Sequence, residues 1–105
     1  MVRVEINLKS NPAWIKVTGH CGNHLQEKIV CGSISTLVQS LYFGLKKVLN
    51  LPVCGIIKSG KFIVILPAVG EEKKREVQFA LAVFSLSVKN IAKEYKCVKL
   101  VEVRG

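Results

Sequence analysis

Residues 28–50, KIVCGSISTLVQSLYFGLKKVLN, decide how the chain is read. Val30, Ile34, Leu37, Val38, Leu41, Leu45, Val48 and Leu49 recur at intervals of three and four, which is the stripe of an amphipathic helix. No charge falls between Ile29 and Leu45, but Ser33, Ser35, Thr36, Gln39 and Ser40 make the segment a core helix rather than a membrane span. The spacing predicts a helix from about Lys28 to Asn50, where Pro52 prevents further extension.

On either side of this helix the period is two. VRVEINL places Val2, Val4, Ile6 and Leu8 on one face, with Arg3, Glu5 and Asn7 on the other. After an Asn11-Pro12 turn, AWIKVTG resumes the alternation with Ala13, Ile15 and Val17 inward, so these two strands form a hairpin. VCGIIKSGKFIVILP, residues 53–67, gives two further strands around a Ser-Gly turn. A second helix is predicted from about Gly70 to Tyr95. Its stripe is Val77, Leu81, Phe84, Val88, Ile91 and Tyr95, and Glu71 and Glu72 suit its N-terminal dipole. CVKLVEV closes the chain as a strand. The order ββαββαβ implies one α+β domain over residues 1–105, with two helices packed on a mostly antiparallel sheet.

Sixteen Lys and Arg against seven Glu and no Asp give a net charge of +9, which suits an anionic partner such as RNA or the ribosome. The charge is dispersed, and the seven aromatics are not interleaved with lysines as in a dedicated nucleic-acid groove. The start of the chain alternates and lacks the apolar run of a signal peptide, so a cytoplasmic location is expected and a disulfide framework is not. Cys54 and Cys97, inside strand-like apolar runs, read as small buried hydrophobes.

The chemistry concentrates in residues 18–35, TGHCGNHLQEKIVCGSIS. Placed in the first turn of the helix, Cys31 would meet free N–H groups and the positive end of the dipole, which favour a thiolate, and Lys28 pushes the same way. His20, at a strand end, is a candidate general base for that thiol, and N–H groups around Cys31 and Gly32 are candidate oxyanion donors. Gly19, Gly22 and Asn23 are placed where the hinge of a mobile loop over 20–28 would lie. A second reading is zinc held by His20, Cys21, His24 and Cys31, although the chain has no C-x-x-C and adjacent ligands would strain a tetrahedral site. A third is a ribosome- or RNA-associated binding module whose His and Cys are not catalytic.

TGH followed by IVCGSIS resembles the signature of the bacterial ribosomal-processing cysteine proteases, the Prp family. Gly19 and His20 match a Gly-His-Ala element, and Ile29, Val30, Cys31 and Ser35 match the element that opens the helix. The resemblance implies a cytoplasmic, homodimeric cysteine endopeptidase without cofactor or metal, using Cys31 as nucleophile and His20 as base. Its implied substrate is the precursor of large-subunit ribosomal protein twenty-seven, trimmed of a short N-terminal extension after an aromatic residue. Cys21 stands where the family usually has Ala, and Lys28 where many members have an acid. Glu27 is the available substitute for that acid. Ser35 is a supporting candidate and His24 a competing base.

Overall fold

The computed structural model describes residues 1–20, 22, 24–58 and 60–103. The elements are β1 (Val2–Asn7), β2 (Trp14–Gly19), α1 (Leu25–Phe43), β3 (Cys54–Lys58), β4 (Lys61–Ile65), α2 (Glu71–Glu94) and β5 (Val98–Val103). The order is the expected ββαββαβ. The strands form one sheet in the order β3-β4-β2-β1-β5, antiparallel except where β5 runs parallel to β1.

Alternation decides which sheet face is covered. Val2, Val4 and Ile6 of β1, Ile15 and Val17 of β2, and Phe62 and Val64 of β4 are buried on the inner face. They meet Val30, Ile34, Val38 and Leu41 of α1 and Val77, Phe84 and Val88 of α2 in a single core. The cross-strand pairs Ile6 with Ile15, Val4 with Val17 and Ile15 with Val64 fix the register, since a slip of one residue would turn these side chains to water. No described element lies on the outer face of the sheet.

Three expectations change. First, α1 begins at Leu25, with His24 as its N-cap residue, rather than at Lys28. The apolar stripe begins at Val30, so periodicity could not register the exposed first turn built from Leu25, Gln26, Glu27 and Lys28. Second, the α-helix stops at Phe43 and widens into a π-helical segment, Gly44–Val48, which leaves Val48 exposed and outside the stripe. The Lys73 ammonium donates to the Leu49 carbonyl at 2.6 Å, satisfying an orphan acceptor where this helix ends. Third, Cys54 is exposed rather than buried, because β3 is the edge strand and all five of its residues are open to solvent. Cys97 is half-buried against the core.

The second helix is tied to the last strand by a polar contact as well as by apolar packing. Ser85, 2% exposed, donates to the Glu102 carboxylate at 2.5 Å. Lys89 lies 3.9 Å from the same oxygen.

Candidate active site

One end of the sheet gathers the turn of the β3–β4 hairpin, the end of β2 and the starts of β1 and β5. Gly19 ends β2 at φ +92°, and a side chain there would collide with the Met1 carbonyl. The Met1 nitrogen donates to the His20 carbonyl at 2.6 Å, and the Gly19 N–H donates to the Gly60 carbonyl at 3.1 Å. These bonds hold the backbone on both sides of His20 against β1 and the hairpin turn.

The His20 imidazole lies across Gly60, which has φ +75°. A Cβ on Gly60 would stand 2.5 Å from Nε2 and 2.8 Å from Cε1 of the ring. Gly60 also lines a narrow cavity of ≈ 20 Å³ together with Gly19, Cys31, Ser35, Ile34 and Phe62. Space of that size admits about one water molecule. The fold thus brings Cys31 of α1 to the glycines that border His20, although eleven residues separate the two in sequence. Ser35, one turn beyond Cys31, faces the same cavity.

The placement of Cys31 corrects one part of the chemical expectation. It is the seventh residue of α1, not a first-turn residue. Free N–H groups belong to the first four positions, and the dipole's effect fades within the first turn. The N–H groups of Cys31 and Gly32 lie inside the helix, where each is directed to a carbonyl four residues earlier. They are therefore not free oxyanion donors in this conformation.

Of the other residues singled out by sequence, His24, Glu27 and Lys28 do not line the cavity of Cys31. His24 is exposed at the N-cap of α1, where its carbonyl accepts the Lys28 N–H at 3.0 Å. Lys28 itself is exposed. The Glu27 carboxylate folds back over the loop, with oxygens 2.7 and 2.8 Å from where a Cβ on Gly22 would lie. Cys21 and Asn23 lie outside the described residues, so the four-ligand zinc reading and part of the proposed hinge do too. Residues 25–28 are helical, which shortens the loop expected over 20–28. Among the described residues no three His, Cys, Asp or Glu side chains come together to hold a metal.

A broader concavity, ≈ 720 Å³ between α1 and α2, runs along a different face of α1 past Ile29, Ser33, Thr36 and Asn90. Among the described residues, neither a His nor a Cys lines it. Gly60 is the site residue that sequence reasoning missed. It registered only as a turn signal, and its proximity to His20 depends on the pairing of β4 with β2.

With this geometry in view, residues 1–98 match the family model described as cysteine protease Prp. The chain belongs to the cysteine protease Prp family. Members are thiol hydrolases, and the match spans every element up to the start of β5. No curated protein gives a significant match. Among solved structures, SMU.848 from Streptococcus mutans is 22% identical with a TM-score of 0.79, over 100% of this chain and 96% of that one. The essential ribosomal processing protease Prp from S. aureus, in complex with a covalently linked product peptide, is 18% identical with a TM-score of 0.77. The same S. aureus protease with a substrate peptide is 17% identical with a TM-score of 0.79. In both S. aureus cases the alignment covers 97% of this chain and 99% of the other. At these identities the likeness speaks for the fold alone. No described helix is long and apolar enough to cross a membrane.

Proposed function

We propose that this Prp family member is an endopeptidase in which Cys31 is the nucleophile and His20 the general base. The observation that carries the reading is the shared boundary at Gly60: the His20 ring lies over this glycine, and Cys31 lines the cavity on which it opens. His20 takes the thiol proton as sulfur attacks the scissile carbonyl carbon, giving a tetrahedral oxyanion. Collapse breaks the C–N bond, and the imidazolium returns its proton to the departing amine. Water then attacks the thioester carbonyl with His20 again as base, releasing the acid and restoring the thiol. Donors for the oxyanion are not supplied by Cys31 and Gly32 while both remain inside α1.

The substrate in this reading is the precursor of large-subunit ribosomal protein twenty-seven, cut after an aromatic residue near its N-terminus. The ribosomal processing activity of the S. aureus protein with which this chain shares its fold supports that choice. Cytoplasmic location and a homodimer complete the proposal. Glu27, folded over the loop that follows His20, stands in for the acid that Lys28 replaces.

A peptide spanning such an extension tests the assignment. Cleavage is expected from the wild type and from Cys21→Ala, and is expected to be lost in Cys31→Ala and His20→Ala. Persistence of cleavage in either dyad variant, or its absence from the wild type, overturns it.

A further inference from the structure

Strand register places a line of like charges across the uncovered face of the sheet. Lys58 of β3 pairs with Lys61 of β4, Lys61 with Thr18 of β2, Thr18 with Arg3 of β1, and Arg3 with Lys99 of β5. Directly paired residues point to the same side of a sheet, and here that side is the one opposite the buried valines and isoleucines. Four cations therefore stand in one row over five strands, a length of about 19 Å at the usual strand spacing. Lys58, Lys61, Lys99 and Arg3 are all exposed. Lys16, on the same face, adds a fifth cation one row away, and among the described residues Glu5 supplies the face's only carboxylate, 2.7 Å from Arg3.

The arrangement has a cost. Like charges directly opposite each other destabilise a sheet, and this row contains two such pairs, Lys58 with Lys61 and Arg3 with Lys99. A linear polyanion removes that repulsion. A second copy of the chain does not, because it would bring the row against its own like charge. A row of single charges interrupted at Thr18 suits a phosphodiester backbone, and Trp14, on the same face two rows from Thr18, adds an aromatic surface.

We propose that the open sheet face is an RNA-binding surface whose phosphate contacts are made by Lys58, Lys61, Arg3 and Lys99. It lies at the same end of the sheet as His20 and Gly60, so bound RNA runs beside the cavity without filling it. The inference does not depend on the assignment of a peptidase substrate.

The test is fluorescence anisotropy of the full chain with a labelled twenty-nucleotide single-stranded RNA across a salt series. Two variants are compared with the wild type: Lys58→Gln/Lys61→Gln/Lys99→Gln, and a control of equal charge loss on the helical side, Lys46→Gln/Lys47→Gln/Lys93→Gln. Removing three phosphate contacts is expected to reduce the slope of log affinity against log salt by about 2, and to weaken binding at least tenfold at about 50 mM salt. The control is expected to lose less than about threefold. Circular dichroism melting checks that the face variant folds, and protection of Lys58, Lys61 and Lys99 from acetylation by RNA reads the same contacts in the wild type. Equal loss in both variants, absence of RNA binding, or equal competition by polyglutamate or phosphatidylserine vesicles of matched charge overturns the proposal.

Discussion

Gly60→Ala isolates the geometry on which the catalytic reading depends, because it leaves both proposed reactive side chains unsubstituted. The substitution has two separable effects. The backbone at φ +75° disfavours any residue with a Cβ, at about 1–2 kcal/mol. For a chain of this size that lowers Tm by about 5–10 °C. The new methyl would also stand 2.5 Å from His20 Nε2, so the ring must move by about 1 Å to reach ordinary van der Waals separation. A displacement of that size between base and nucleophile can cost about 10²-fold in rate, because proton transfer requires hydrogen-bond reach. The expected outcome is thus a protein folded at 25 °C, modestly less stable, with kcat/KM on the precursor peptide reduced about a hundredfold. Asn11→Ala, in a turn far along β1 and β2 from the site, is the comparison for a change that leaves the His20 end untouched. If Gly60→Ala loses the expected stability but keeps wild-type kcat/KM, the position of His20 over Gly60 has no bearing on the reaction.

Other consequences of the fold are tested by stability alone. Ser85→Ala removes a hydrogen bond from a buried hydroxyl to the Glu102 carboxylate, at an expected cost of about 1.5–3 kcal/mol in urea unfolding. A change below about 0.5 kcal/mol would mean that this contact does not hold α2 to β5. Ile34→Ala, at a position 1% exposed between α1 and the sheet, is expected to cost about 2–5 kcal/mol, against which the Ser85 loss can be scaled. Lys73→Met should cost about 1 kcal/mol by freeing the Leu49 carbonyl at the end of the first helix, and an unchanged midpoint would refute that role. Cys54→Ser on the exposed edge strand should stay within about 0.5 kcal/mol of wild type, whereas a loss of 1 kcal/mol or more would restore the buried reading of that cysteine.

How these residues could be read in advance follows from the range of the forces that place them. Val2, Val4, Ile15, Val17, Val64 and Val88 declare themselves through periodicity, because burial acts on every turn or every second residue of an element. The first turn of α1 buries none of Leu25, Gln26, Glu27 and Lys28, so no apolar signal marks it, and Cys31 is displaced from the helix start to the second turn. Cys54 reads as core from its apolar neighbours, yet the pairing order leaves β3 at the edge. That order follows from non-local pairing of β4 with β2, which no single segment encodes.

The same non-local pairing assembles both of the surfaces proposed for function. By aligning Lys61 with Thr18 it carries Gly60 to the end of β2, where the glycine leaves room for the His20 ring beside the cavity of Cys31. It also aligns Lys58 and Lys61 with Arg3 and Lys99 on the opposite face. The hairpin turn thus contributes a neighbour of the proposed dyad on one side and half of a cationic row on the other. Because alternate residues of a strand point to opposite faces, charge changes at Lys58 and Lys61 can alter the outer row while leaving Gly60 and Phe62 in place. The peptidase reading and the RNA-binding inference can therefore be separated by mutation even though one hairpin serves both.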